Sequence, residues 1–341
     1  MRLLTVTAIL VTAAAAAACT GGEVANFGEP RPIHLPAAKD ATGPRLTRGP
    51  DGTTILSWMH REKSGATLRY SELKDGRWQD ATNVVSDPEM FVNWADLPSV
   101  MPLEDEHWAA HWLSKSAEST YAYDILFSQS WDRGSSWSEP VRPHTDGTPT
   151  EHGFVSIFAE GESAALLWLD GRKTGTEASD RPEASSMTLR AAVVGPQGQV
   201  RREQLVDGMV CDCCQTDVAL SVAGPIAVYR DRTVEEVRDI YVTRFRDDQW
   251  QAGAPIADDG WVIGGCPVNG PAIDANGDLV AVAWFSAANN RPVVRAAIST
   301  NSGRTFKGAA EIASARVSGH VGIAVIDRHA VVVSWVETDK H

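Results

Sequence analysis

Residues 163–172 read SAALLWLDGR: an apolar run, a tryptophan at position 168, then polar residues. A strand buried on both faces is continuously hydrophobic rather than alternating, and the Asp-Gly pair that follows punctuates a turn. The same pattern recurs as TTILSWMHRE (53–62), HWAAHWLSKS (107–116), GPIAVYRDRT (224–233), DLVAVAWFSA (278–287) and HAVVVSWVET (329–338). Their aromatics, Trp58, Trp112, Trp168, Tyr229, Trp284 and Trp335, are spaced by 54, 56, 61, 55 and 51 residues. Self-similarity at slightly more than the ~40 to 50 residues of a four-stranded unit predicts six repeated sheets with enlarged loops.

Working outward from each aromatic, a second element precedes it, often marked by Gly or Pro: Gly43-Pro44, Leu97-Pro98, Gly153-Phe154, Thr216-Asp217, Gly270-Pro271 and Gly322-Ile323. It predicts the innermost strand of each unit. After the first five aromatics come strand-like stretches such as ATLRYSEL (66–73), MTLRAAVV (187–194) and RDIYVTRF (238–245), then a turn and a short edge strand. Helical periodicity is nearly absent.

The turn between the third and fourth strands is the most specific feature. Ser130, Asp132, Gly134, Ser136 and Trp137 fit S-x-D-x-G-x-[ST]-[WF]; Ser299, Asn301, Gly303, Thr305 and Phe306 fit it with Asn for Asp. A carboxylate or amide that caps turn N–H groups, a glycine for special dihedrals and an aromatic plug are structural chemistry. With these boxes and the segments WLDGR, CDCCQT, YRDR and CPVNGP, the chain resembles bacterial lipoproteins of the sialidase-like, Asp-box (BNR-repeat) family. The resemblance implies an all-β, six-bladed β-propeller with four-stranded antiparallel blades and a site at one mouth of its channel. The sixth repeat reaches His341 just after its second strand, so the segment Arg31 to Ala37 is expected to close that blade with an outer strand, because open sheet edges are a liability.

The start, MRLLTVTAILVTAAAAAACTGG, has one basic residue, an apolar stretch and small residues before Cys19. It reads as a signal peptide over 1–18, a lipidated Cys19 with a linker to residue 28, and a propeller over 29–341. The expected location is the periplasm or outer membrane, with the lipid as the sole membrane contact. A formal charge of -13 without a Lys/Arg cluster argues against a nucleic-acid partner. A monomer with a glycan or other small-molecule ligand is expected.

In a propeller, turns entering the inner strands and leaving the second strands gather at one end. Thr42, Asp96, His152, Gln215, Asn269 and His320 occupy the first set, and His60, Ser114, Asp170, Asp231, Ser286 and Glu337 the second. Polar groups that converge on an opening carry ligand specificity. Arg172, Arg230 and Arg238 suit a carboxylate such as that of a sialic or uronic acid. The same Asp170, Arg172, Asp231 and Arg238 equally read as structural ion pairs. Asp96, Asp170, Asp231 and Glu151 are the candidates for a pair of hydrolytic carboxylates, with His60, His152, Gln215 and Asn269 as ligand contacts.

Sialidase chemistry itself does not transfer. Thr42 stands where the family has the arginine of its first inner strand, and no tyrosine lies in the last repeat. Whether the chain is an enzyme stays open; if so, the resemblance implies a glycoside hydrolase. The four cysteines Cys211, Cys213, Cys214 and Cys266 read first as two disulfides in an oxidising compartment. A Cu(I) or Zn thiolate site is the alternative, and with it a thiol- or copper-handling protein or a non-catalytic scaffold.

Overall fold

The computed structural model describes residues 6–11, 28–29, 31–37, 39–174 and 185–338. Strands dominate, and among the described residues no helix is long and apolar enough to cross a membrane. Cys19 lies outside the described residues. Two compact units divide the chain, Pro30–Gly208 and Met1–Glu29 with Met209–His341.

The strand β1 (Val6–Val11) belongs to the last sheet. In the Pro30–Gly208 unit, β2 (Ala41–Arg48), β3 (Thr54–Arg61), β4 (Ala66–Lys74) and β5 (Arg77–Trp78) form the first sheet in that order, and β6 (Thr82–Asp87) also pairs with β4. The second contains β7 (Ser99–Pro102), β8 (Trp108–Lys115) and β9 (Tyr123–Ser130), with a bridge from Phe127 to Val141 in place of a fourth strand. The third is β10 (His152–Glu160), β11 (Ser163–Asp170), β12 (Met187–Val194) and β13 (Val200–Val210).

The other unit repeats the plan. Its first sheet is β14 (Asp217–Ser221), β15 (Gly224–Arg230), β16 (Ile240–Arg246) and β17 (Gln249–Trp250), with β18 (Ala254–Pro255) also on β16. The next is β19 (Ala272–Asn276), β20 (Leu279–Ser286), β21 (Val293–Ser299) and β22 (Lys307–Ser314). In the last, β23 (Val317–Val325) pairs with β24 (Val331–Glu337), and β24 with β1, all antiparallel. Six meandering sheets, laid down consecutively, are the blades of a six-bladed β-propeller.

The expected closing strand is corrected. Residues 31–37 lie in no strand, and β1 pairs with β24 instead. Pro32 and Pro36 give the expected segment two positions without an N–H, whereas VTAILV offers an unbroken ladder.

Burial explains the repeat. Every residue of β11 and of β20 is buried, while the outer β22 is largely exposed. The six repeat aromatics are all buried, Trp168 and Tyr229 completely. A buried indole N–H needs an acceptor. Trp112 donates to Asp87, Trp168 to Asp170, Trp284 to Asp259 and Trp335 to Glu337 at 2.7–3.1 Å.

The two Asp-boxes have the same bonding. Ser130 Oγ donates to Asp132 Oδ1 at 2.8 Å and accepts from Gly134 N at 2.7 Å, and Asp132 Oδ1 accepts from Ser136 N at 2.8 Å. Ser299, Asn301, Gly303 and Thr305 repeat this at 2.8, 3.0 and 3.0 Å. Gly134 and Gly303 sit at φ 79° and 68°, where a side chain is disfavoured.

Candidate functional site

The inner strands begin irregularly, with register shifts between Thr42 and Arg45, Gly153 and Ser156, and Gly319 and Gly322. Such bulges leave a backbone N–H outside the ladder. In two of the blades, a side chain from the preceding blade takes it: Asp96 Oδ1 accepts from Phe154 N at 2.8 Å, and Asn269 Oδ1 from His320 N at 2.8 Å. Gln215 Oε1 likewise accepts from Gly270 N at 3.1 Å. The recurring glycines make room. A Cβ on Gly153 would lie 1.8 Å from Asp96 Oδ2, and one on Gly319 1.9 Å from Asn269 Oδ1. Asp96, Gln215 and Asn269 are therefore latches from blade to blade within their own units.

Asp96 has a second contact. The Tyr123 hydroxyl, at the start of β9, lies 3.2 Å from Asp96 Oδ2 and donates to Glu151 Oε1 at 2.7 Å. One oxygen of each carboxyl touches the same phenol oxygen, so the two groups share a single hydroxyl. Burial pushes the Asp96 carboxyl up to about 7, with the Glu151 charge adding to it against the Phe154 N–H. Burial and the two carboxyls hold the Tyr123 phenol protonated. Protonated Asp96, Tyr123 and Glu151 thus form a short proton chain. Asp96 and Tyr123 are buried, Glu151 is half-exposed, and Trp94, two residues from Asp96, is 70% exposed. Elsewhere in this unit His60 lines a depression of about 720 Å³ together with Thr42, Arg61, Lys63 and Arg69.

His152, Asp170 and Arg172 form a deeper network beside this chain. Arg172 grips Asp170 with Nε on Oδ1 and Nη2 on Oδ2, both at 2.7 Å, and reaches Asp146 at 3.3 Å and Glu203 at 2.7 Å. His152 Nε2 lies 3.3 Å from Asp146 Oδ1 and 3.8 Å from Asp170 Oδ2. The His144 ring stacks on His152 at 3.9 Å and 3°, and Arg142 pairs with Asp124 at 2.7 Å. Burial, reinforced by His152, lowers His144 to about 4. Burial opposes ionisation of Asp146 and Asp170, yet the Thr148 hydroxyl and His152 on the first, and Arg172 and His152 on the second, hold both below the usual carboxylate range. The acidic, histidine-bearing sets Asp124/His144/His152 and Asp146/His152/Asp170 have the donors for a metal. However, Arg142 on Asp124 and Arg172 on Asp146 and Asp170 already compensate the carboxylates, and in the first set the parallel imidazoles do not converge their nitrogens on one ion.

In the other unit, Arg230 is buried over Trp261, with its guanidinium donating to the carbonyls of Asn269, Arg238 and Phe285 at 2.6–3.1 Å. Arg238 donates to Glu236 at 2.8 Å and to Cys211 Sγ at 3.3 Å. Asp231 is buried at the end of β15, where its N–H donates to the Asp239 carbonyl at 2.9 Å. Of the two expected disulfides, one is formed, Cys213–Cys266, with Cα atoms 5.9 Å apart. Cys211 and Cys214 are buried free thiols with sulfurs 3.4 Å apart. Cys266 approaches the outward-facing Cys213, leaving the inward pair to itself. With Cys213 in the disulfide, two thiols, Cys211 and Cys214, are left as donors for the soft metal that the sequence admitted.

Tyr123, Asp146, His144 and Glu203 do not emerge from the repeat register. The stretch RPHTDGTPT (142–150) carries a local signal, Asp-Gly flanked by threonines, and Asp146 does accept from Thr148 there. Nothing local marks Tyr123.

No protein-family profile and no characterised protein sequence matches the chain. Solved structures do match by fold. A Dyadobacter fermentans protein of unknown function is 14% identical with a TM-score of 0.55, over 88% of this chain and 95% of the other. The α-L-arabinofuranosidase Arb93A of Fusarium graminearum is 13% identical at 0.55, over 87% and 93%. The Hadza microbial sialidase Hz136 is 13% identical at 0.54, over 87% of this chain and 63% of the sialidase. At such identities the likeness establishes a shared β-propeller fold.

Proposed function

We propose that this protein is an exported carbohydrate-binding propeller that recognises an acidic glycan through the Pro30–Gly208 unit. The observation that carries the reading is the Asp96–Tyr123–Glu151 chain, a buried carboxyl wired through a phenol to a half-exposed one. Exposed Trp94 supplies an aromatic face on which a sugar ring can stack. The open depression with Arg61, Lys63 and Arg69, which Asp40 and Glu62 also line, offers guanidinium forks for a sugar carboxylate. Sugar hydrolases among the fold neighbours are consistent with this use of the fold.

Hydrolysis is the finer form of the proposal. Glu151 would act as the acid or base at the sugar, and Asp96, which a ligand does not reach, would set its proton supply through Tyr123. Export would follow the sequence of residues 1–18, with Cys19 as the lipid-bearing residue; cleavage there would remove β1, so its pairing with β24 belongs to the uncleaved chain. The test is a glycan array with the soluble protein, followed by chromogenic sialosides, uronides and arabinofuranosides. Binding to carboxylate-bearing glycans that drops at least tenfold in Glu151→Gln supports the reading. A folded protein blank on every glycan and substrate abandons it.

A further inference from the structure

The cysteine cluster lies outside the glycan reading. The sulfurs of Cys211, Cys213 and Cys214 all lie within 4.8 Å of one another, and Cys213 is bonded to Cys266. Four sulfurs therefore share one locality in two redox forms. The disulfide is on the outside, with Cys266 exposed and Cys213 half-exposed, and the dithiol is behind it, 0% and 2% exposed at Cys211 and Cys214. The buried pair is set up for nucleophilic attack. Arg238 Nη1 donates to Cys211 Sγ at 3.3 Å and to Asp212 at 3.5 Å, the Cys214 thiol lies 3.4 Å from the same sulfur, and Glu236 holds the guanidinium through Nε and Nη2. The neighbouring Cys214 thiol and the Arg238 guanidinium, working against burial, lower Cys211 to about 6, so that it is largely thiolate at neutral pH; burial keeps Cys214 protonated.

We propose that Cys211, Cys213, Cys214 and Cys266 form a thiol–disulfide exchange site in which the exposed disulfide and the buried dithiol trade places. The Cys211 thiolate attacks Cys213 Sγ, forming a Cys211–Cys213 bond as the Cys213–Cys266 bond breaks and Cys266 leaves as a thiolate that takes a proton from solvent. Cys214 loses its proton and attacks Cys211, forming Cys211–Cys214 and releasing the Cys213 thiolate, which is protonated in turn. One disulfide and two thiols enter and leave, so the exchange needs no external oxidant. Its product exposes a dithiol at Cys213 and Cys266, the form that can reduce an external disulfide.

The experiment maps disulfides in the soluble protein after anaerobic incubation at pH 8 without added thiol, then acid quench, alkylation and peptide mass analysis. The exchange predicts two single-disulfide isomers: one with the Cys266 peptide cross-linked, and one with that peptide alkylated and an internal Cys211–Cys214 bond. In Cys211→Ser the second isomer is lost. Oxidised glutathione added to Cys266→Ser should close Cys211–Cys214, with the loss of two hydrogens in mass. The proposal is overturned by Cys213–Cys266 as the sole disulfide in wild type, by two disulfides with no thiol, or by thiols that alkylate only after a metal is chelated. The wild-type map decides even if a variant does not fold.

Discussion

Replacing Asp96 with Asn tests the proton chain through stability. The amide Oδ1 keeps an acceptor for Phe154 N, now 2.8 Å from the carboxyl, and the amide NH2 can donate toward Tyr123 or Glu151. What it removes is ionisation. An acid with a pKa of 3.8 when unfolded and about 7 when folded leaves the native state holding more protons, so stability falls as pH rises between those values. At ~1.4 kcal/mol per pH unit the full loss is about 4 kcal/mol. The wild type suffers most of it at pH 8 and less than half at pH 5. Urea unfolding at the two pH values should show Asp96→Asn gaining on wild type by roughly 2 to 3 kcal/mol from pH 5 to pH 8. A stability gap that is the same at both would refute the elevated carboxyl and the chain built on it.

Other substitutions probe separate parts of the argument. His144 is neutral in the fold at pH values where the unfolded imidazole, at 6.5, is protonated, so its contribution is lost as pH falls from about 6.5 toward 4. His144→Gln should abolish about 2 kcal/mol of that acid sensitivity, read from unfolding at pH 7 and pH 4.5. Gly153→Ala puts a methyl into Asp96 and should cost about 3 kcal/mol or more through the lost Phe154 bond, measured by urea midpoint. Arg230→Met leaves the carbonyls of Asn269, Arg238 and Phe285 without their buried donor; a loss of about 3 to 5 kcal/mol is expected, and an unchanged melting temperature would contradict it. Ser130→Ala removes a hydroxyl that bonds both Asp132 and Gly134 and should cost about 2 kcal/mol in the same assay.

Much of the blade plan was legible because its cause is periodic. A strand buried on both faces must be apolar throughout, and SAALLWLDGR and DLVAVAWFSA say so directly. The Asp-box was legible because its bonds are local, two to four residues apart. Long-range partners were not. Asp96 is recognisable as a carboxyl at a turn, but its bond to Phe154 spans 58 residues, and the Tyr123–Glu151 contact spans 28. The register places these side chains near the start of an inner strand without saying which neighbour's bulge they enter. The closing strand followed the same logic: an open edge calls for a partner, and with prolines in residues 31–37 it is Val6–Val11 that pairs with β24 in the full-length chain.

The glycan site is tested most directly by titrating the soluble protein, by calorimetry, with the acidic oligosaccharide that scores highest on the array, alongside Trp94→Ala and Glu151→Gln. Saturable one-site heat with wild type, weakened at least tenfold in both variants while their unfolding midpoints stay near wild type, is the predicted result. Equal affinity in all three proteins would place the sugar elsewhere and contradict the role given to Trp94 and the Asp96–Tyr123–Glu151 chain.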